Sequence, residues 1–208
     1  MLACSQFKVV RKEIMKRHFT LIYFVVGLIN VSFAQLNSYG ISIGAANGMI
    51  IKQALEGGPS YDLNTGITLG FQYCREMSEK LHLMTSVNWY KNTVTVTPAF
   101  YPNMDMSPEN YDVQLIYIPV FIKIDLSRYL FLFGGPIADF DITNERYITS
   151  QSGMGAGLGI GTEFPISEKF AVQFNPYLNL HGIVLADQED YPERVFDTGL
   201  KLSLILKK

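Results

Sequence analysis

The chain has 208 residues, 17 basic and 19 acidic, with 48% hydrophobic residues, 17 glycines and 26 phenylalanines plus tyrosines. That length fits one domain, the charge gives no basic footprint for nucleic acid, and two cysteines, Cys4 and Cys74, are too few for a cysteine-type zinc site.

The N-terminus reads as a targeting segment. Lys16, Arg17 and His18 precede the uncharged apolar run FTLIYFVVGLINV, and Ser32-Phe33-Ala34 follows, with Gln35 after it. A basic start, an apolar stretch and small residues at the cleavage positions make a secretory signal peptide over residues 15–34, starting at Met15. The run is shorter than the roughly 20 residues that a spanning helix needs. Residues 1–14 read as an over-extended start. Leu2-Ala3-Cys4 resembles the end of a lipoprotein box, but no apolar run precedes it. The mature chain is then a single domain, residues 35–208. Five basic residues and Glu13 fall before Gln35, so 12 basic and 18 acidic residues remain, a net charge of −6. Cys74 is left alone, which excludes an internal disulfide.

Eight strand candidates follow. The first, residues 39–46, sets Ile41 and Ile43 against Gly40, Ser42 and Gly44. The second, 65–73, sets Ile67, Leu69, Phe71 and Tyr73 against Gly66, Thr68, Gly70 and Gln72. The third, about 81–94, sets Leu83, Thr85, Val87 and Trp89 against His82, Met84, Ser86 and Asn88. The fourth, 111–124, sets Asp112 and Gln114 against Val113, Leu115 and Tyr117, then turns apolar on both faces. The fifth, 129–140, is apolar on both faces until Asp139, so neither of these two has a readable facing. The sixth, 155–164, sets Ala156, Leu158, Ile160, Thr162 and Phe164 against four alternating glycines and Glu163. As a helix it would lose about 1 kcal/mol at each glycine relative to alanine. The seventh, around Ala171, sets Phe170, Val172, Phe174, Pro176, Leu178 and Leu180 against Ala171, Gln173, Asn175, Tyr177, Asn179 and His181. Pro176 cannot donate to a ladder and has to sit at a bulge or an unpaired position. The eighth sets Phe196, Thr198, Leu200, Leu202, Leu204 and Leu206 against Asp197, Gly199, Lys201, Ser203, Ile205 and Lys207. A period of two sends such sets to opposite faces of a sheet.

Connections alternate between long (47–64, 95–110, 141–154, 182–195) and short (74–80, 125–128, 165–169). With an even strand count the long ones gather at one end. The face that carries the glycines is polar and the other is apolar, so the barrel is inverted, apolar outside and polar within. Both features belong to an eight-stranded antiparallel up-and-down transmembrane β-barrel, in which closure gives every backbone group a partner in lipid. Residues 182–195 are then expected outside the cell and 165–169 in the periplasm. Leu202 and Leu204 should face lipid, with Lys201 and Ser203 in the lumen; the opposite phase would cost roughly 2–4 kcal/mol for Lys201 near the midplane. Tyr73, Phe164 and Phe170 at one end, with Trp89 and Tyr111 at the other, suit interfacial aromatic belts.

The pieces SYGISIGAANG, TGITLGFQY, LIYIPVFIKIDL, YLFLFGGPIADF, GAGLGIGTEFPI and FDTGLKLSLIL, in that order, resemble the small outer-membrane β-barrel proteins of Bacteroidetes-type bacteria labelled PorT-like. The resemblance covers nearly all of residues 35–208. It implies the barrel and the outer membrane, and brings no catalytic residues. The chain departs from many such barrels by ending Leu206-Lys207-Lys208 rather than on an aromatic residue.

Candidate chemistry is thin. His82 and His181 are placed at opposite ends of the barrel, too far apart to share a metal. His181 could meet Asp139 or Asp141, with Ser150 or Ser152 completing a hydrolase-like set. Asp187, Glu189, Asp190 and Glu193 make an acidic outer loop. The reading is therefore a non-enzymatic outer-membrane protein without cofactor or metal. Its structural or surface-interaction role runs through the long loops, with outer-membrane lipid, lipopolysaccharide and a surface or periplasmic protein as expected partners. The alternatives are a small transporter or pore, or a membrane-embedded hydrolase or acyltransferase. Eight strands leave an interior about filled by side chains, which argues against a general pore.

Overall fold

The structure, a computed structural model, describes residues 37–52, 59–98, 107–144, 148–186 and 193–208. The expected signal peptide, and Asp187, Glu189 and Asp190 of the acidic loop, lie outside the described residues.

The described residues form nine strands: β1 Asn37–Ile51, β2 Ser60–Leu63, β3 Thr65–Ser78, β4 Leu81–Thr97, β5 Glu109–Asp125, β6 Leu130–Asp141, β7 Gly153–Pro165, β8 Phe170–Leu185 and β9 Arg194–Lys207. All pair antiparallel. The ladders run β4–β3–β1–β9–β8–β7–β6–β5, and β5 returns to β4, so the sheet closes into a ring. Closure leaves no long edge, which is the condition for crossing hydrocarbon with strands. Eight strands were expected, and β2 is the addition. It pairs with residues 94–97 of β4, above the stretch of β4 that β3 takes up. Asn64 separates the two, and its N–H still donates to Thr93 O at 3.0 Å. Pro59 and Asn64 bracket the segment so tightly that its four residues carry no readable period. β1 also runs on to Ile51, well into the stretch expected as the first long connection.

Facing follows the sequence pattern wherever the pattern was clear. Ile41, Ile43, Leu69, Phe71, Leu158, Phe174, Leu202 and Leu204 point outward and are exposed. Thr68, Gln72, Gln173, Asn175, Asn179, Asp197 and Ser203 point inward and are buried. The two unreadable strands resolve into an inner plug. β5 turns Ile116, Ile118, Val120, Ile122 and Ile124 away from the lumen. It buries Leu115, Tyr117, Phe121 and Lys123 inside, and β6 adds Phe131, Phe133 and Ile137. The interior is therefore not uniformly polar, as expected from the other strands. A dry aromatic half built on β4, β5 and β6 faces a small and polar half built on β1, β3, β7, β8 and β9.

The glycines of β7 follow from that plug. A Cβ on Gly159 would run into the ring tip of Phe133, and one on Gly161 into that of Phe131. The bare backbone of β7 is the space the two rings occupy. Pro176 sits outward, paired with Leu200 of β9 but skipped on its β7 side. The β7–β8 ladder runs from Gly159↔Tyr177 directly to Thr162↔Phe174, skipping the pairs that would need its missing N–H. Pro119 of β5 faces inward and pairs with Ile137, and the β4–β5 ladder likewise skips it; Thr85 Oγ1 donates to its carbonyl at 2.8 Å.

The short turns, 79–80, 126–129 and 166–169, share one end of the barrel with Asn37 and Lys208. Two of them use the same chemistry. Ser127 and Ser167 accept from Leu130 N and Phe170 N through their hydroxyls, at 3.2 and 3.1 Å. Tyr39, Tyr73, Tyr129 and Phe164 gather in pairs at this end, with ring centroids 5.4 and 6.0 Å apart. Trp89, expected at the other end, faces outward between Leu69 and Ile116 at the middle of β4. Tyr111 does not join it: it has the same phase as inward-facing Val113 and bonds Glu109. The four long connections, each outside the described residues in part, all leave from this second end.

Candidate functional site

The candidate site is the lumen. Near the long-connection end β8 carries His181, wholly buried, between two carboxylates. Nδ1 lies 2.7 Å from Asp139 Oδ1 on β6, and Nε2 lies 3.2 Å from Asp197 Oδ1 on β9. A carboxylate on each ring nitrogen requires a proton in each gap. The ring is then an imidazolium, or a neutral imidazole beside one protonated carboxyl. Tyr90 stacks on the ring at 6.3 Å and Tyr117 meets it edge-on at 5.3 Å. The next residue, Gly182, has φ +62°, which turns the chain so that its N–H reaches Asp139 Oδ2 at 3.3 Å.

Above the histidine the connection between β6 and β7 folds into the mouth. Gln151 is wholly buried there. Its amide nitrogen donates to Thr149 O and Glu193 O, both at 2.7 Å, and its amide oxygen accepts from Val195 N at 2.9 Å. Its own N–H donates to Asp141 Oδ2 at 3.0 Å. One glutamine side chain thus ties the connection between β6 and β7 to the start of β9. Tyr61 of β2 stands at the rim, where burial, then the Glu193 carboxylate, push its hydroxyl up to about 12.

In the middle of the lumen Lys201 of β9 lays its ammonium over the faces of Tyr177 and Tyr117, at 4.5 and 4.9 Å. Around it lie buried polar atoms without a hydrogen-bond partner: Asp197 Oδ2, Asn179 Nδ2, the Tyr177 hydroxyl, Asn175 Oδ1 and the Ser203 hydroxyl. They form a row along the inner faces of β8 and β9, where Asn179 is opposite Asp197 and Asn175 opposite Lys201. A cavity of only about 20 Å³ opens between Asn175, Tyr177, Asn179 and Lys201 on this wall and Asn88, Met84, Phe121 and Phe133 on the opposite one.

The short-turn end holds a charged network. Lys123 contacts Glu163 at 3.2 Å and Asp125 at 3.5 Å, His82 meets Asp125 at 2.7 Å, and Lys207 pairs with Glu163. Gln173 donates to Glu163 at 2.8 Å and accepts from Gln72 across the lumen at 3.4 Å. These groups, with buried Cys74, border a cavity of about 180 Å³ open to that end.

His181 therefore meets Asp139, as the strand order allowed, and also Asp197, which sequence reasoning did not pair with it. Asp141 goes to the Gln151 backbone instead. The hydrolase-like set does not assemble. Ser152 Oγ accepts from Asp141 N at 3.0 Å, Ser150 Oγ accepts from Ser152 N at 3.4 Å, and both histidine nitrogens are occupied by carboxylates. His82 and His181 lie at opposite ends, and no group of three or more His, Cys, Asp or Glu among the described residues could hold a metal ion. Lys123 and Gln151 were missed because one lies in an apolar run and the other in a connection; only their polarity beside strands marks them.

No family model matches the chain, and no curated protein matches it. Solved structures do. The outer-membrane protein AlkL, in lipid bilayers, is 13% identical, with 84% of this chain and 89% of that chain covered and a TM-score of 0.48. OprG, an outer-membrane protein of Pseudomonas aeruginosa, is 13% identical over 81% of this chain and 95% of its own, with a TM-score of 0.43. The attachment invasion locus protein Ail of Yersinia pestis, in complex with the heparin analogue sucrose octasulfate, is 14% identical over 80% and 98%, with a TM-score of 0.40. Likenesses this distant say nothing about what the chain carries or binds, and the barrel stands on its own ladders and facing: a closed antiparallel β-barrel of the outer-membrane type, apolar outside.

Proposed function

We propose that the chain is an outer-membrane barrel of the transporter or pore class, shut in the present structure, whose polar β8–β9 wall passes a small polar solute when its outer mouth opens. In cross-section it counts as an eight-stranded barrel, with β2 and β3 one interrupted strand. A signal peptide at residues 15–34 exports a single domain, 35–208, with the long connections outside and the short turns in the periplasm. Outer-membrane lipid and lipopolysaccharide surround it, and the PorT-like resemblance belongs to the same reading.

The observation that carries the pore over a purely structural role is the row of unpartnered polar atoms from Asp197 to Ser203. Protein groups leave these donors and acceptors free, and a wall of free donors and acceptors suits a polar solute better than a packed support does. The structural or surface-interaction reading, through the long loops and a surface or periplasmic protein partner, has the sealed mouth in its favour. The two separate on proteoliposomes tested for entry of water, glycerol and glycine, with wild type and Gln151→Gly. The pore reading expects faster entry of at least one of them in the folded variant; vesicles that stay at the lipid background would leave the structural role.

A further inference from the structure

We infer that the β8–β9 wall binds a cluster of water molecules joining Lys201 to Asp197, and that water is the solute of the path. The inference rests on the pore reading above and narrows it to one molecule. The five unpartnered atoms are of both kinds. Asp197 Oδ2 and Asn175 Oδ1 accept, Asn179 Nδ2 donates, and the Tyr177 and Ser203 hydroxyls do either. An ion of one sign satisfies only one kind, whereas water satisfies both.

Lys201 points the same way. Its ammonium has three N–H donors, and the contacts it makes are with two ring faces. The acceptors left over in the lumen are the ones beside it, Asn175 directly across the ladder and Asp197 four residues back on the same inward face. Bridging waters complete both the lysine and the orphaned acceptors. The cavity of about 20 Å³ that Asn175, Tyr177, Asn179 and Lys201 border together with Ser42, Asn88 and the β5–β6 rings holds one such molecule, since a water needs at least about 10–15 Å³ and two to four polar partners; Asp197 and Ser203 lie outside its lining. The charges on the row exclude the alternatives. The fixed ammonium of Lys201 repels cations, the carboxylate of Asp197 repels anions, and the space is too small for glycerol. A neutral, water-sized molecule is what remains.

The test uses the full mature barrel in bilayers. Solid-state NMR magnetisation transfer from water to the wild-type protein should reach the Lys201 ammonium and the Asn179 side-chain amide, and Lys201→Met should weaken the signal at Asn179. In proteoliposomes Gln151→Gly should raise osmotic water permeability several-fold, with glycerol entry and potassium chloride conductance at the lipid background. Adding Asn179→Leu to it should return water permeability to background. A lumen dry by NMR overturns the inference, as does passage of glycerol or potassium alongside water; in the second case the pore reading survives. If Gln151→Gly folds, as judged by heat-modifiable migration, and passes nothing at all, the pore reading falls with the inference.

Discussion

At the scale of single residues, the interior is held by a few side chains with no substitute. His181 keeps two buried carboxylates, Asp139 and Asp197, in hydrogen bonds at once. Replacing it with phenylalanine takes the imidazole from both carboxylates and leaves Asp139 only the Gly182 N–H, and breaking a buried charged set in this way costs roughly 3–5 kcal/mol. Urea unfolding in lipid vesicles should show that loss, and the triple change His181→Phe, Asp139→Leu, Asp197→Leu should recover most of it. A single variant as stable as wild type would mean that the triad is not a structural clasp. Gly161 is the converse case, a residue needed for having no side chain. Valine there meets the ring of Phe131, an overpacking worth about 1–3 kcal/mol. In the same unfolding assay Phe131→Ala should remove much of the penalty from Gly161→Val, and full additivity of the two would contradict the contact.

At the scale of elements, legibility tracked how strictly each strand alternates. β7, β8 and β9 were readable residue by residue because one face is apolar and the other small or polar. β5 and β6 were not, since their inward residues Leu115, Tyr117, Phe121, Phe131 and Phe133 are as apolar as the outward ones. Periodicity carries no information where lipid and plug ask for the same residue types. β2 was lost for a different reason, its four residues being too few to show a period. The site was legible in part. The His181–Asp139 pair follows from strand order, while Asp197, Lys123 and Gln151 depend on ladder registers and a folded-in connection that no local pattern encodes. The alternation of connection lengths did survive, and it gives the orientation its test. A protease site placed within residues 187–192 should be cut on intact cells and one within 166–169 should not; the reverse result would turn the barrel over.

At the scale of the whole molecule, the account is a closed barrel turned inside out, with lipid outside and polar groups within. Every ladder, the plug and the lumen row depend on that facing, and a soluble sheet would put the same leucines of β9 into a dry core. The measurement that decides between them compares two adjacent positions in a Cys74→Ser background. Fluorophores attached through Leu202→Cys and Ser203→Cys are placed in bilayers that contain a lipid-borne quencher. The inverted barrel predicts strong quenching at 202 and little at 203. Equal quenching, the reverse order, or a protein that never enters the bilayer would contradict it.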